Sequence, residues 1–487
     1  MRNVYFTSLL MLCVSVYVKA GDWMKRLPDN LFVAQVTFPG AHDAGTGYGF
    51  TTSLGEMYSR TQDIDMAEQW KAGVRAFDLR PRVVGQDSLA VAHGITNTKV
   101  GFNTVLKLLC DSLEKNPTEF VVIHLLYADN YDNEKEDYKK LLLELVQSEG
   151  LKDYFVDFRR NLTVGQMRGK ILLMSRDSYD LRPVGAFMKN WCGYIDWNAQ
   201  TSGKVNGAGV GEMSSGSLYM QDLAETHKEG EMDKKLSAIR TMLDFTTQYK
   251  MSDSLKIIWT YNFASAYSKT GIFGTSTSEG YRDNAAYTNK EFIEYFQTHD
   301  AGPAGIVLAD YVGVDESDGY VTRGKELVDT LIANNYKWLE RRNKTVYDKA
   351  LERIDKLYEQ LQKAQEDIAT ECADVAAEFE DELAAAKEVI DQQKYEIDSL
   401  YAGWLFTESY TVDYIGTYRI IRQIEKDAEK AQAEFDEASG IHAVQAEHIG
   451  NDCQIFSLTG ERLDVLRHGT VCIVKFPDGK VRKVVCK

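Results

Sequence analysis

The sequence predicts an α/β barrel that is followed by a helical extension and a small β-rich domain. Short apolar segments alternate with helical patterns from residue 22 to about residue 343, as strands and helices do in a βα repeat. Residues 345–393 contain neither proline nor glycine and read as long helix. The 487 residues are 44% hydrophobic and 26% charged, a composition typical of folded proteins that excludes disordered and collagen-like chains.

The first twenty residues have the pattern of an export signal. Arg2 provides a positive charge near the start, and residues 4–18 form an apolar segment. Ala20 is a small residue at the position expected just before signal-peptide cleavage. The apolar segment is too short to span a bilayer, and Leu12 is bulky where a lipoprotein signal would have a small residue before Cys13. We therefore expect residues 1–20 to be a signal peptide and the protein to be exported, to the medium, the periplasm or the cell surface.

The first folded domain is predicted at residues 21–344. Six of its segments are short, apolar on both faces and bounded by polar turns, as buried parallel strands are. They are residues 34–38, 76–79, 120–125, 170–174, 256–260 and 305–308. Helical patterns between them cover residues 66–72, 102–116 and 232–249. This alternation predicts a single barrel.

Most of the negative charge lies in residues 345–440. The whole chain has 73 acidic and 56 basic residues, a net charge of −17. This segment contains 24 of the acidic and 10 of the basic residues. An acidic total argues against sequence-independent nucleic-acid binding, which needs cations for the phosphates. Apolar residues at spacings of three and four predict a coiled-coil-like hairpin or three-helix extension in this segment. We interpret it as a packing or interaction module that could engage a protein partner.

Residues 441–487 are predicted to form a small β-rich domain. Its strands are expected at residues 454–458, 470–476 and 481–485, between turn signals. Of the seven cysteines, Cys13 leaves with the signal peptide, and the other six are scattered without a CxxC pair, so no zinc site is expected. Cys453, Cys472 and Cys486 are close enough in sequence for one disulfide among them, but the spacing does not select the pair.

Charged side chains follow the predicted strands, where barrel enzymes keep their active sites. They are His42 and Asp43 after the first strand, Asp78 and Arg80 on one face of the second, His93 after a strand-like segment at 89–92, and Asp310 at the end of the last strand. Two imidazoles can divide general-base and general-acid work, carboxylates orient them, and an arginine binds phosphate oxygens. The set predicts cleavage of a phosphodiester without a metal or another cofactor.

In this order, the motifs resemble the X domain of the bacterial phosphatidylinositol-specific phospholipase C family. The resemblance covers about residues 23–335. It rests on residues 39–45, 77–80, 93–94 and 310–311, with similar strand entries at 117–122 and 169–173. It implies an irregular (β/α)8, TIM-like barrel and a phospholipid substrate at a membrane surface.

The resemblance also implies a role for each candidate residue. His42 would take the proton of the inositol 2-hydroxyl, which attacks phosphorus, and His93 would protonate the leaving diacylglycerol oxygen. Arg80 would stabilise the phosphoryl oxygens where metal-dependent relatives use calcium. Asp310 would orient His42, whereas Asp43 and Asp78 would support Arg80 and His93. Arg176 and Asp222 fall where the family holds inositol hydroxyls. The implied function is an exported, metal-independent phosphodiesterase or lyase that acts on a phosphatidylinositol- or glycosylphosphatidylinositol-like lipid and leaves a cyclic inositol phosphate.

Two positions depart from the family pattern. This chain has Leu126-Tyr127 where the bacterial family has a lysine, and Ala224 where it has a stacking tyrosine. The contacts to the headgroup are therefore expected to differ from those of the family. His124, inside an apolar strand, is interpreted as a core residue.

Two other functions remain open alongside the leading one. A metal-dependent glycerophosphodiester phosphodiesterase would need His-Arg near its start and a glutamate-rich metal cluster, whereas this chain has His42-Asp43 and Arg80. A catalytically silent barrel could instead bind surfaces and use the helical arm for a partner, but the two intact histidines argue against this.

Overall fold

The computed structural model describes most of the barrel region and shorter parts of the chain beyond it. The described residues are 20–128, 135–177, 185–189, 191, 201–207, 214–226, 231–248, 257–268, 276–300, 302–371, 384–385, 387–392, 394–395, 441–444, 454–457, 462–463, 471–477 and 481–486. Two compact units divide the chain, one ending at residue 343 and one beginning at residue 344. The predicted signal peptide lies outside the described residues, apart from Ala20.

Two sheets make up the β-structure described in the first unit. In chain order their strands are β1 Phe38–Ala41, β2 Ala76–Leu79, β3 Pro81–Val84, β4 Ser88–His93, β5 Thr96–Gly101, β6 Val121–Leu125, β7 Ile171–Ser175, β8 Ala186–Lys189, β9 Thr201–Gly207, β10 Ser215–Gln221, β11 Ile258–Phe263 and β12 Ile306–Ala309. The closed barrel has the order β1-β12-β11-β10-β9-β8-β7-β6-β2, and β3, β4 and β5 form a separate antiparallel sheet.

One reversed strand makes the barrel irregular. β9 lies between β8 and β10 and runs antiparallel to both, while the other barrel pairs are parallel. The remaining barrel strands therefore form an eight-stranded parallel set, which confirms the expected irregular (β/α)8 architecture. Strands β8, β9 and β10 were not predicted from the sequence. Glycine, serine, lysine and asparagine in β9 hide it from a search for apolar segments.

The first barrel strand begins later than predicted. β1 starts at Phe38, and Val33–Gln35 forms a 3₁₀ turn where a strand at 34–38 was expected. The residues of this turn are buried, so their apolar character reflects packing and not strand pairing. Pro39 is tolerated within β1 because the ladder with β2 starts only at Gly40, so the missing N–H removes no bond on that side.

The other predicted strands correspond to observed ones with small shifts. Residues 76–79 coincide with β2, whereas β6, β7 and β12 each begin one residue later than predicted. The segment 256–260 overlaps only the start of β11, which continues to Phe263.

Helices alternate with the strands of the first unit. They are α1 Ser53–Tyr58, α2 Met66–Ala72, α3 Phe102–Lys115, α4 Lys135–Val146, α5 Val164–Met167, α6 Glu231–Gln248, α7 Ser278–Thr298 and α8 Gly324–Glu371, and α8 continues past residue 343 into the second unit. Local signals set their ends: Asp65 accepts a hydrogen bond from Glu68 N at the start of α2, and Gly73, at φ 110°, ends it. Their apolar faces and the barrel strands form one large core, as the βα alternation predicted.

A short N-terminal 3₁₀ segment, Ala20–Arg26, packs against residues that precede β2 and β6. Trp23 is fully buried, and its Nε1 donates a hydrogen bond to Gly73 O at 2.9 Å. A buried ion pair joins Arg75 Nε to Glu119 Oε2 at 2.9 Å, and Met24 N donates to Glu119 Oε1 at 3.0 Å. Since Arg75 and Glu119 stand before their strands, this cluster closes the N-terminal end of the barrel.

The described part of the second unit contains helix and sheet. Ile390 packs against Ala350 and Ile354 of α8, and Lys394 Nζ lies 3.6 Å from an oxygen of Asp355. A second helical segment therefore packs on α8, which confirms a helical extension. Residues 396–440, the rest of the predicted helical extension, lie outside the described residues. No helix in the described ranges is both long and apolar enough to cross a membrane.

The C-terminal strands form one sheet. They are β13 Ile441–Val444, β14 Gln454–Phe456, β15 Arg462–Leu463, β16 Val471–Lys475 and β17 Val481–Cys486, in the order β13-β17-β16-β14-β15. Three of them match the predicted strands. Cys472 is buried in β16, where the strand register places it opposite Val484. Cys453 lies outside the described residues, so the disulfide considered for this region stays a prediction.

Candidate active site

The C-terminal ends of three adjacent strands bring predicted residues together. β1 pairs with β12 at Ala41 and Ala309, and with β2 at Ala41 and Phe77. The residues that follow these strands include His42 after β1, Arg80 after β2 and Asp310 after β12. Because parallel strands end at the same edge of a sheet, the three side chains meet at one mouth of the barrel.

Both ring nitrogens of His42 make polar contacts. Nδ1 lies 2.7 Å from Asp310 Oδ1, and Nε2 lies 3.0 Å from Arg80 Nη2 and 3.2 Å from Asp43 Oδ2. An arginine can only donate, so a neutral His42 carries its proton on Nδ1, towards Asp310, and accepts from Arg80 at Nε2. A protonated His42 donates from Nε2 to Asp43. The two contacts at Nε2 therefore belong to alternative protonation states.

Two side chains from the segment after α1 fix the backbone at His42. Gln62 Nε2 donates to His42 O at 2.8 Å and to Ala309 O at 2.9 Å, which ties the ends of β1 and β12 together. Thr61 Oγ1 donates to His42 O at 3.2 Å. Asp43 then adopts a left-handed conformation at φ 44°, which is uncommon for a residue other than glycine.

Arg80 lies between two buried carboxylates. Its Nε is 2.8 Å from Asp43 Oδ1, and its Nη2 is 3.1 Å from Asp78 Oδ2. Asp78 and Arg80 are two residues apart and share one face, as the sequence predicted. The guanidinium is thereby held beside Nε2 of His42, where its planar fork can bind phosphate oxygens.

His93 reaches the site from outside the barrel. It is the last residue of β4, in the separate sheet, and does not follow a barrel strand as the sequence analysis assumed. Its Nδ1 donates to Ser59 O at 2.8 Å and lies 3.4 Å from Asp43 Oδ2, so Nε2 is the nitrogen left to exchange a proton with a ligand. The centroids of the His42 and His93 rings are 6.5 Å apart.

Burial and charge move the pKa values of the two histidines in opposite directions. Burial by itself would lower the pKa of His42, but the negative charges of Asp43 and Asp310 outweigh it and raise this pKa to about 9. Burial lowers the pKa of His93, and the partial compensation from Asp43 does not restore it. The proton of the free protein therefore rests on His42.

The pKa values of two carboxyl groups at the site also shift in opposite directions. Burial would raise the pKa of Asp78, yet the positive charge of Arg80 outweighs burial and holds it well below its usual range. Burial raises the pKa of Asp310, against the opposing charge of His42.

Arg176 and Asp222 form a second polar group in the same pocket. They follow β7 and β10, and Arg176 Nη1 lies 3.7 Å from Asp222 Oδ2. Trp191 joins them, since its Nε1 donates to the same carboxylate oxygen at 2.8 Å and its ring carries the Arg176 guanidinium at 4.6 Å. A cation, a carboxylate and an aromatic ring are groups that contact the hydroxyls and faces of a polyol.

The pocket between these groups is open to solvent, and the space within it and at its mouth is about 560 Å³. It is lined by His42, Arg80, His93, Arg176, Asp222, Ala224, Phe263, Ser265, Ala266, Tyr267 and Tyr281. Ala224, one of the departures noted in the sequence, stands in the wall. Tyr127, at the other departure, stacks on Tyr138 with ring centroids 4.5 Å apart and is not among the lining residues.

His124 lies buried behind the pocket wall. Its ring packs against Trp191, Tyr261 and Phe263, with centroid distances of 5.1, 5.2 and 5.9 Å. Burial lowers the pKa of His124 to about 3, so its imidazole is uncharged near neutral pH.

Sequence reasoning missed Ser59, Gln62, Phe263 and Tyr281. Phe263 ends β11 and could have been found by including aromatic residues in the search of strand ends. Tyr281 lies on α7, with its ring 5.9 Å from that of His93, and nothing in the local sequence marks it. Ser59 acts through its backbone carbonyl, which no side-chain motif can reveal.

One set of donors in the described part of the chain could take a metal ion. One ligand atom each from His42, Asp43 and Asp78 lies within 4.8 Å of the others. Arg80 already places a cation against both carboxylates. A divalent ion there would have to lie beside the guanidinium, and two cations at such a distance repel strongly.

The chain resembles named proteins over the same region. Residues 38–177 match the family described as phosphatidylinositol-specific phospholipase C, X domain. A 1-phosphatidylinositol phosphodiesterase of Staphylococcus aureus (strain Newman) is 24% identical over 322 residues, which are 63% of this chain and 93% of that protein. The protein of the same name from Listeria monocytogenes is 31% identical over 167 residues, which are 33% of this chain and 50% of that protein.

Solved structures show the same fold. A histidine-to-tyrosine mutant of the phosphatidylinositol-specific phospholipase C from Staphylococcus aureus matches with a TM-score of 0.52 at 24% identity, covering 64% of this chain and 96% of that one. A second structure of the Staphylococcus aureus enzyme matches with a TM-score of 0.52 at 23% identity, covering 64% and 97%. Residues 38–177 of this barrel thus resemble the X domain of the phosphatidylinositol-specific phospholipase C family, and the relatives that the chain matches are bacterial proteins named 1-phosphatidylinositol phosphodiesterase.

Proposed function

We propose that this protein cleaves the glycerol-side phosphate ester of a phosphatidylinositol- or glycosylphosphatidylinositol-like lipid, and that the products are diacylglycerol and a cyclic inositol phosphate. The observation that carries the proposal is the pair of histidines whose rings stand 6.5 Å apart across one pocket, with Arg80 at 3.0 Å from His42. The name shared by the bacterial relatives, 1-phosphatidylinositol phosphodiesterase, supports the same substrate.

In the first step, His42 acts as the general base. Neutral His42 presents Nε2 to the pocket, and Asp310 at 2.7 Å from Nδ1 stabilises the imidazolium that forms. A ring hydroxyl next to the phosphodiester loses its proton to Nε2 and attacks phosphorus. Arg80 binds the phosphoryl oxygens as their charge grows, an interaction that stabilises the transition state more than the ground state.

His93 is the general acid of the same step. Its Nδ1 is occupied by Ser59 O, so a proton on Nε2 can be given to the diacylglycerol oxygen as the phosphorus–oxygen bond breaks. The phosphate ends as a five-membered cyclic diester, because the attacking and retained ring oxygens are neighbours. No water enters this step, which makes it a lyase reaction.

The reaction needs the proton on His93, whereas the free protein holds it on His42. Both arrangements contain one proton on the pair, so no net uptake is required, only its transfer. An anionic phosphodiester bound between the rings favours the charged form of His93. Its binding therefore supports the productive arrangement.

A lipid substrate also requires contact with a membrane, and an apolar rim beside His93 can provide it. Leu54 and Met57 on α1 are 61% and 56% exposed, and Ile95, in the turn after β4, is 79% exposed. α1 lies against β5, and Ser59 just after α1 contacts His93. These side chains can enter the outer layer of a bilayer while the polar pocket receives the headgroup. The signal-like residues 1–20 support action outside the cell.

The test is product analysis by phosphorus NMR with purified phosphatidylinositol. We expect a cyclic inositol phosphate to form and His42→Ala to abolish it, since proton transfer of this kind contributes about 10²–10⁴ in rate. His299→Ala is the matched control, because this histidine is on the far end of α7 and does not line the pocket.

Three outcomes distinguish the alternatives. A non-cyclic phosphomonoester as the first product would indicate direct attack by water, as in a glycerophosphodiester phosphodiesterase. Equal activity of His42→Ala and the unmodified protein would contradict the assignment of the base. Absence of turnover on any phosphodiester would favour a catalytically silent surface-binding barrel.

A further inference from the structure

A buried lysine lies behind the pocket and has no part in the mechanism above. Lys235 is on α6, directly after the exposed Lys234, and is fully buried. A charged lysine is rarely buried unless other groups compensate it, so its position calls for a physical reason.

The first contact of Lys235 is with the ends of two barrel strands. Its Nζ donates to Gln221 Oε1 at 3.2 Å, and the same oxygen accepts from Leu223 N at 2.8 Å. Gln221 Nε2 in turn donates to Asn262 Oδ1 at 2.8 Å and to Phe263 O at 2.9 Å. The chain of hydrogen bonds thus joins α6 to the last residues of β10 and β11.

These strand ends carry two walls of the pocket. Asp222 stands between Gln221 and Leu223, and Phe263 lies with its ring 6.3 Å from that of His42. A shift of Gln221 would move both. A misplacement of about 1 Å in an active site can cost a hundredfold in rate, so even a small shift of these walls would matter.

We propose that Lys235 is a positioning residue of this active site, a buried donor that holds Gln221 in place and, through it, the pocket residues Asp222 and Phe263. This inference rests on the proposed function.

Two substitutions test the hydrogen bond to Gln221. Lys235→Met removes the donor, so we expect kcat to fall by about tenfold, a fraction of the 10²–10⁴ that the base contributes, together with a higher KM. Lys235→Gln keeps an N–H donor for Gln221 and should restore most of both. Lys234→Met, one residue earlier and exposed, is the matched control and should behave as the unmodified protein.

A double-mutant cycle with Gln221→Leu tests the path of the effect. If Lys235 acts through Gln221, Lys235→Met should cost little further activity once Gln221 is replaced. Additive losses would overturn the proposal, and so would an unchanged kcat and KM in Lys235→Met. If neither Lys235 variant folds by circular dichroism, the lysine is a requirement for folding and the proposal is wrong. An unmodified protein without turnover would instead contradict the proposed function itself.

Discussion

At the scale of single residues, the site is a compact set of charges that share their counter-ions. Asp43 is the clearest case, because its two oxygens lie 2.8 Å from Arg80 Nε, 3.2 Å from His42 Nε2 and 3.4 Å from His93 Nδ1. One carboxylate therefore influences the base, the acid and the arginine together. Single substitutions at this position are expected to change the pH dependence as well as the rate.

Asp43→Asn should move the alkaline limb of the pH profile. Activity requires one proton on the histidine pair, so kcat/KM should fall at low pH, when His93 and His42 are both protonated, and again at high pH as the pair loses its proton through about 9. Asp43 raises the pKa of His42, so removing its charge shifts the upper limb to lower pH. The profile should be measured on a water-soluble inositol phosphodiester.

The control for this profile is Asp87→Asn, at an exposed position between β3 and β4. It should leave both limbs in place. An Asp43→Asn enzyme whose upper limb stays near 9 would show that Asp43 does not set the titration of His42.

Chelators should leave turnover unchanged. Arg80 lies against the two carboxylates that could otherwise ligate an ion, and its guanidinium stabilises phosphoryl charge electrostatically. Turnover measured before and after exhaustive EDTA treatment tests this. Arg80→Lys should lose about 10²–10³ in kcat, because a point charge cannot replace the planar fork. A loss on EDTA treatment that calcium restores would instead assign the donors His42, Asp43 and Asp78 to a metal.

The strand-end residues could be predicted because each lies next to a segment with a clear signal. Apolar residues around β1, β2 and β12 indicate buried strands, and the position just past a barrel strand is a known place for chemistry. Ser59, Gln62 and Tyr281 could not be predicted in the same way. They reach the site from a loop and from a helix, and only the closed barrel brings them close.

At the scale of elements, His93 shows how the right residue can be found through a wrong element. The segment before it is a strand, as predicted, but it belongs to the β3–β4–β5 sheet and not to the barrel. A strand of a barrel and a strand of a surface hairpin have similar local composition, so sequence alone cannot separate them. For β9 the opposite holds, because its polar sequence conceals a strand that pairs on both sides.

Helix α1 should govern activity on membranes but not on soluble substrates. Replacing its exposed Leu54 and Met57 by serine removes apolar area that can be buried in lipid. Burial of such area contributes a free energy of roughly 25 cal/mol per Å². The double variant should need more vesicle surface for half-maximal rate and should keep its activity on a soluble phosphodiester. Tyr287→Ser, an exposed substitution on α7, is the control.

An unchanged dependence on vesicle concentration in the α1 variant would place the membrane contact elsewhere. A loss on soluble substrate would instead indicate that α1 supports Ser59 and, through it, His93.

At the scale of the whole molecule, the candidate catalytic residues lie within residues 42–310. Removing residues 345–487 should therefore leave a folded barrel that is active on a soluble substrate. The first turns of α8 must stay, because Leu331, Trp338 and Leu339 are buried in the barrel core. A shorter form that ends at residue 323 should unfold, since large apolar side chains contribute several kcal/mol each.

Circular dichroism and turnover of the two truncated forms decide this. An inactive or aggregated form ending at residue 344 would mean that the helical extension covers part of the barrel core, and that the predicted domain boundary is wrong.

The pairing of β1 with β12 has a consequence for the timing of activity. His42 and Asp310 are 268 residues apart in the chain, and they meet only when the last barrel strand closes on the first. A nascent chain that already holds both histidines and Arg80 still lacks the carboxylate that would orient its base. We therefore expect activity to appear only after the last barrel strand has been synthesised and has paired with the first.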